Sequence, residues 1–274
     1  MYNIYYFSGT GNTKAVAELL KNKLECQMYS IEETSTVENN MVLMFPIHAL
    51  GTPEIVLTWL KDLPKADCKA AIVTTGGDYV GINKNATKSA IKILSEKGYD
   101  VTYDRIVVMG SNFAIGYPDA FEKQLYEVAK EKVEDIANEL NHQIRRRYEN
   151  TYTFSLSQML YYAESRFGAK SFGLSLRTKD TCTKCMICVK LCPRNNIVLK
   201  RDKIRFKSHC MMCMRCIYKC PVQAIHSIGM NFAILSGGYD IESIIESPIS
   251  HEFVTEETKG FYKHFINYIE DKTI

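Results

Sequence analysis

Eight of the ten cysteines fall into two runs of identical spacing, Cys182, Cys185, Cys188, Cys192 and then Cys210, Cys213, Cys216, Cys220, each followed directly by proline. No other feature limits the folding of the chain so tightly. Successive Cys-x2-Cys steps wrap three thiolates around one face of a metal cluster, and the fourth cysteine, after three intervening residues, points to the neighbouring cluster. The spacing predicts two 4Fe-4S cubanes, one on Cys182, Cys185, Cys188 and Cys220, the other on Cys210, Cys213, Cys216 and Cys192. Neither run completes a centre alone. Pro193 and Pro221 each fix the backbone after the fourth ligand and withhold an N–H, which turns the chain away.

Other uses of cysteine predict other patterns. Thiols this close in a tight loop cannot all pair as disulfides, and nothing marks the chain as secreted. Inert apolar cysteines have no reason to keep a register. Zinc is the competing metal, although its sites usually combine separated knuckles or add histidine.

The second run begins 28 residues after the first, at 210 against 182, and the register continues to Ile197 and Ile225. This is an internal duplication. Ile197 to Phe206 reads as apolar segments around Arg201-Asp202-Lys203, a short hairpin, so each half is expected to be a ligand loop with a small strand pair. So little apolar sequence cannot build an ordinary core, and the clusters are expected to supply much of the folding free energy.

The segment from about Thr181 to Ile228 resembles the bacterial two-cluster ferredoxins, with all eight ligand positions present. The resemblance implies two low-potential 4Fe-4S centres close enough to exchange electrons. Its charge departs from that family, whose small free members are usually acidic. Residues 177 to 221 carry twelve Lys and Arg against Asp180 and Asp202, and each oxidised cubane on four thiolates offsets only about two of those charges. A basic surface lowers the cost of reducing an anionic cluster, or docks a redox partner protein with an acidic surface; the plain alternative is an ordinary solvated face. Nucleic acid is not expected, because no recognition helix or stacking motif accompanies the charge and the whole chain is only +3.

The front half is organised differently. Tyr2 to Phe7 is a β-rich apolar run that passes into Ser8-Gly9-Thr10-Gly11-Asn12-Thr13 and then a helical pattern from Lys14 to Leu24. Strand, tight glycine turn and helix N-terminus together make a phosphate site. A Walker lysine is missing, so a phosphomonoester fits better than a nucleoside triphosphate. Further strands are expected at Cys26 to Ser30, Met41 to Pro46, Ala70 to Thr75 and Arg105 to Gly110, with helices near 53–62, 83–97 and 119–147. The polar stretch Ile31 to Asn40 leaves its crossover helix reduced or missing. Alternation of this kind predicts an α/β doubly wound parallel sheet that binds ligands outside the carboxyl ends of its strands.

Residues 1 to about 148 resemble the flavodoxin-like family, whose phosphate loop has the Ser8 to Thr13 pattern. The resemblance implies FMN, held by Ser8, Gly9, Thr10, Gly11, Asn12 and Thr13 at its phosphate. The flavin ring would lie between Ile47-His48-Ala49-Leu50-Gly51 and Gly76-Gly77-Asp78-Tyr79. Tyr79 is a candidate to stack on the ring, and His48 and Asp78 are candidates to tune it. Each also has a bland role: a loop tyrosine, a structural histidine, an aspartate bonding its own turn. Ser111-Asn112-Phe113 is a further candidate loop, and Trp59 reads as core.

Between the units, Leu156, Met159, Leu160, Ala163 and Phe167 lie at helical spacing, an amphipathic connector. Arg145-Arg146-Arg147 is expected to cap the long preceding helix. Residues 240 to 271 reverse the charge, with eight acidic residues against Lys259 and Lys263; this tail is expected either to pack on the basic cluster unit or to complete a core. The expected layout is a flavodoxin-like FMN-binding domain at 1–148, a helical connector at 149–178, a small α+β ferredoxin domain with two 4Fe-4S clusters at 179–230 and an acidic extension at 231–274. No long apolar segment is available to span a membrane. The initial strand leaves no room for a signal peptide, and reduced, cluster-bound cysteines point to the cytoplasm and an oxygen-poor setting.

The two resemblances together match flavodoxin-ferredoxin fusion proteins of anaerobic bacteria and archaea. They imply an electron-transfer protein that passes electrons between FMN and the clusters, and to or from a redox partner. The rival is a flavin-dependent reductase in which the clusters feed FMN while a small substrate binds over the ring.

Overall fold

A computed structural model of the chain describes residues 1–78, 80–148, 163, 167–250 and 252–270. Its first half is a sheet of β1 (Tyr2–Tyr6), β2 (Met28–Ser30), β3 (Asn40–Pro46), β4 (Lys69–Gly76) and β5 (Asp100–Val108) in the order β2-β1-β3-β4-β5. Every pairing in it is parallel. Strands covered on both faces read as unbroken apolar runs, and Met41 to Phe45 and Ala70 to Val73 are fully buried. The pleat sends alternate side chains to opposite faces. Val42 and Met44 meet α1 (Asn12–Leu24) and α5 (Asp119–Asn141), whereas Met41, Leu43 and Phe45 meet α2 (Glu54–Asp62) and α4 (Lys88–Glu96).

No helix forms between β2 and β3. The segment is tied instead by side chains: Trp59 Nε1 donates to Thr34 O at 2.7 Å, and the Glu38 N–H donates to the Tyr5 hydroxyl at 2.8 Å. Trp59 is 8% exposed and belongs to the core, as expected. The helix expected over 83–97 divides into α3 (Val80–Asn83) and α4. The long helix stops at Asn141, not at 147, because the chain turns at Gln143 with φ 55. The arginines are consequently not its cap. Arg145 pairs with Asp100 at 2.7 Å, and Arg146 returns beside Tyr103 of β5 and pairs with Glu139 at 2.8 Å.

The cluster unit comprises α6 (Ala169–Ser175), β6 (Leu176–Thr178), α7 (Ile187–Lys190), β7 (Ile197–Lys200), β8 (Lys203–Phe206), α8 (Arg215–Tyr218) and β9 (Ile225–Ser227). β7 and β8 form the expected hairpin, with Arg201 and Asp202 at φ 51 and 59; two positive φ values give a tight turn the twist that antiparallel strands need. β6 pairs with β9. The duplication extends to backbone conformation. Lys184, Met186 and Asn195 take φ of 55, 64 and 48, and their counterparts Met212, Met214 and Gln223 take 55, 60 and 45. Of the connector stripe, Leu156, Met159 and Leu160 lie outside the described residues, and Phe167 is 72% exposed.

The acidic tail packs mainly on the sheet unit and completes its core, the second of the two expected arrangements. Tyr239 and two residues of α9 (Ile241–Glu246), Ile241 and Ile244, join the core beside α1 and α5. Val254, Phe265 and, from α10 (Ile266–Glu270), Tyr268 pack with Phe121, Leu125 and Val128 of α5. Polar contacts fix the register. Gln124 exchanges two hydrogen bonds with the Val254 backbone at 2.7 and 2.8 Å, and the Val108 N–H donates to the Tyr268 hydroxyl at 2.9 Å. Burying one such apolar side chain contributes about 2 kcal/mol, so apolar burial decides where the tail lies. Charge adds Lys219 to Asp240 and Glu242, at 3.7 and 3.9 Å. Among the described residues, no helix is long and apolar enough to cross a membrane.

Candidate functional site

The turn from Ser8 to Thr13 joins β1 to α1 and is held from several sides. Gly11 has φ 117, and a Cβ there would lie 2.5 Å from the Ile241 side chain, so both conformation and space demand glycine. The Ser8 hydroxyl accepts from the N–H groups of Gly11 and Lys14 at 3.2 and 3.3 Å. Thr10 Oγ1 accepts from Asn112 Nδ2. Asn12 and Thr13 use their side chains on the protein: Asn12 donates to Gly110 O at 2.8 Å and accepts from the Tyr239 hydroxyl at 2.6 Å, and the Thr13 and Thr75 hydroxyls are 2.7 Å apart. What the loop keeps for a phosphate is its backbone N–H groups at the start of α1, with the partial positive charge of a helix N-terminus.

Beyond this loop opens a cavity of about 410 Å³, within the range of small-molecule sites. It brings together most of the expected residues: Ser8, Gly9, Thr10, Asn12 and Thr13, then His48, Ala49 and Leu50, then Gly76, Gly77 and Asp78. Gly11 and Gly51 support its wall without lining it, and Tyr79 lies outside the described residues. His48 and Gly51 close a tight turn through reciprocal backbone bonds of 3.0 and 2.8 Å, with Ala49 and Leu50 at positive φ. Burial lowers the His48 pKa to about 4 against an opposing hydrogen bond to the Met211 backbone, so the imidazole is neutral at neutral pH. Gly77 packs on Ser111, where a Cβ would meet Cα at 3.2 Å, and its carbonyl accepts from the Tyr117 hydroxyl. Asp78 faces His264 of the tail at 3.2 Å.

Tyr117, Met211, Met212 and Phe261 are among the wall residues absent from the sequence-based set, and Cys213, expected there only as a cluster ligand, also lines the wall. No local signal marks Tyr117, Met211, Met212 and Phe261 as cavity residues, since two come from the cluster unit and one from the tail.

The cysteines sort into two small cavities. Cys182, Cys185, Cys188 and Cys220 line one, and Cys192, Cys210, Cys213 and Cys216 line the other. All are free thiols. This is the interlocked grouping that the spacing predicts. Backbone N–H groups of Asn196, Met212 and Ala224 point at the sulfurs of Cys192, Cys210 and Cys220 at 3.3, 3.4 and 3.4 Å, contacts that favour the thiolate form. Without a metal, burial and the neighbouring sulfurs act the other way and push Cys188 up to about 11 and Cys210 up to about 12. Bound iron would reverse that balance, because coordination deprotonates a thiol. Among the described residues no three His, Cys, Asp or Glu converge as a single-ion site. Tetrahedral zinc needs such convergence, whereas a cubane spreads four thiolates over its irons. The donor set fits 4Fe-4S clusters.

The two units meet at the second cysteine loop. A Cβ on Gly9 would lie 2.7 Å from Cys213 O, so the phosphate loop and this ligand loop touch backbone to backbone. Arg215 locks the contact: it donates to Ser8 O at 2.5 Å and Gly9 O at 3.3 Å, and forks onto Glu32 at 3.0 and 2.8 Å. Its guanidinium lies 5.5 Å from the Phe7 ring centre. The Tyr218 hydroxyl donates to Asn112 O at 2.9 Å, and Arg194 reaches Glu54 at 3.2 Å.

Residues 175–221 match the 4Fe-4S dicluster domain family. No curated protein matches the chain. Among solved structures, Flavodoxin 2 from Bacillus cereus in its oxidised form is 19% identical over 52% of this chain and 99% of its own, with a TM-score of 0.41. The Fusobacterium nucleatum flavodoxin bound to flavin mononucleotide is 13% identical over 52% and 98%, with a TM-score of 0.39. A flavodoxin from the domain Archaea is 16% identical over 52% and 99%, at 0.34. Likeness at this level adds nothing to what the strand order β2-β1-β3-β4-β5 establishes, which is the flavodoxin-like arrangement. The chain joins a flavodoxin-like sheet to a segment that matches the 4Fe-4S dicluster family, a combination that supports a redox, electron-transfer role.

Proposed function

We propose that the chain passes electrons between a bound FMN and two 4Fe-4S clusters, and exchanges them with a redox partner protein that presents an acidic surface, in a reducing compartment such as the cytoplasm. The observation that carries this reading is the shared wall: Met211, Met212 and the ligand Cys213 line the same cavity as the phosphate loop. When bound, FMN takes two electrons and releases them singly, and each cubane carries one.

The residues divide the work. Ser8, Gly9, Thr10, Gly11, Asn12 and Thr13 form the phosphate cradle, with the Asn12 and Thr13 side chains holding its shape. His48 to Gly51 and Gly76 to Asp78 border the ring, and a neutral His48 offers hydrogen bonding without a positive charge. Cys182, Cys185, Cys188 and Cys220 hold one cluster, and Cys192, Cys210, Cys213 and Cys216 the other. Arg215 keeps the two units in contact, which shortens the path that an electron crosses.

Anaerobic purification followed by iron, sulfide and flavin analysis tests the reading. The expected content is about eight irons and about one FMN per chain. Zinc in place of iron, or an intact protein that does not take up FMN, would overturn it.

A further inference from the structure

The cysteine cavities differ in where their cations point. Beside Cys192, Cys210, Cys213 and Cys216 the cations turn inward, Arg215 onto Glu32 and Arg194 onto Glu54 of the sheet unit. Beside Cys182, Cys185 and Cys188 they turn outward, while Lys219 beside Cys220 is held by the tail. Lys184 lines that cavity and bonds Asp202 in the hairpin turn, which sets Lys200, Arg201 and Lys203 next to the Cys185 loop. Lys179 closes the other side, its N–H bonded to Ala224 O at 2.8 Å beside Pro221 and Val222 of the cavity wall. All five of these basic residues are exposed. Lys184 pairs with Asp202 here, and Lys219, next to Cys220, pairs with Asp240 and Glu242 of the tail.

Cys185 is the only exposed cysteine of the eight. Leu199 and Val222, at 44% and 40% exposed, add apolar surface between the charges. An exposed ligand edge, four exposed cations outside any ion pair among the described residues beside a fifth, Lys184, that is paired to Asp202, and a little apolar surface make a contact site for a macromolecule of opposite charge. The cations surround a redox ligand and do not follow a groove or a helix, which selects a protein able to take an electron over a nucleic acid.

We propose that the face around Cys185, formed by Lys179, Lys184, Lys200, Arg201 and Lys203, is the docking surface for an acidic one-electron redox protein. This rests on the electron-transfer reading above and adds a location to it. One electron crosses per encounter: the chain is oxidised by one, the partner is reduced by one, or the reverse, and no bond or proton is exchanged. The opposite cysteine loop is covered by the sheet unit and serves the flavin side.

The test uses full-length holoprotein of measured iron and flavin content, reduced with dithionite, desalted and mixed with an oxidised acidic plant-type 2Fe-2S ferredoxin in stopped flow. A basic cytochrome c serves as the opposite probe. The triple variant Lys179→Glu, Arg201→Glu, Lys203→Glu is expected to transfer about tenfold more slowly to the acidic acceptor at low salt, with the salt dependence flattened. It should gain speed with cytochrome c. Reversing three charges on the sheet unit, Lys61→Glu, Lys65→Glu and Lys92→Glu, should leave both rates unchanged. Equal losses in the two variants, an unaltered triple variant, or no transfer from wild type would overturn the docking proposal. A protein that lacks iron or FMN fails the electron-transfer reading; one that holds both and ignores the charge reversal fails the docking proposal alone.

Discussion

The two cysteine loops are copies of one unit, with the same spacing and the same three positive-φ positions, and they have opposite surroundings. The loop around Cys213 is pressed against Gly9 and clamped by Arg215, while the loop around Cys185 faces out among lysines. Ligand geometry is local and was duplicated with the sequence. Environment is not local, and a single contact surface has made one copy an internal element and the other an external one.

The largest effect should come from removing a ligand from each loop. Cys213→Ala and Cys185→Ala should each lose about four irons, but only Cys213→Ala breaks the cavity wall and should weaken FMN binding, by about tenfold, read by quenching of flavin fluorescence. Equal flavin affinity in both variants would erase the distinction.

Next is the contact between the units. Gly9→Val forces a side chain into Cys213 O and should cost about 3 kcal/mol, with separate melting of the two units by calorimetry. Gly237→Ala, where a Cβ meets nothing within 4 Å, should melt as wild type does. Arg215→Met leaves Glu32 without its half-buried partner and should cost about 2 kcal/mol. The same change at Arg201, on the outward face, should stay within about 0.5 kcal/mol in chemical denaturation.

The last test concerns the support beneath the phosphate loop. Glu122 is 3% exposed and lies against Gly110 and Tyr239, with its pKa raised to about 8 by burial and then by Asp119. A carboxyl that holds its proton more tightly folded than unfolded contributes stability below its ordinary pKa and loses it as pH rises to about 8. Wild type should therefore weaken between roughly pH 5 and pH 8, by at most about 4 kcal/mol. Glu122→Gln should flatten that slope in urea titrations, and an unchanged slope would assign it to another group such as Asp104, pushed up to about 6 by its own burial.

Much of this was legible in the residues. The cysteine spacing, the Ser8 to Thr13 turn and the alternation of strands with helices are short-range patterns whose chemistry follows from a few neighbouring residues, and all reappear in the coordinates. Expectations failed where a distant partner decided the outcome. The arginines at 145 to 147 looked like a helix cap because charge after a helical pattern reads that way, but Asp100 and Glu139 drew them to β5. The tail's acidity left two arrangements open, and Phe265 and Tyr268 decide between them by carrying it to α5. The stretch at 83–97 gave no warning that it would divide at Asn83.

What this sequence determined by itself is the cysteine register, the glycine turn after β1 and the class of both units, because metal coordination and tight turns demand particular residue types at particular spacings. Which copy of the cysteine loop meets the cavity at the phosphate loop was decided only in three dimensions. The copies are too alike for spacing to separate them, and the contacts that do so, Gly9 with Cys213 and Arg215 with Glu32, join residues about 200 and 183 positions apart. Such pairs form only when the chain has already folded, and it is packing that turned a symmetric repeat into an asymmetric path.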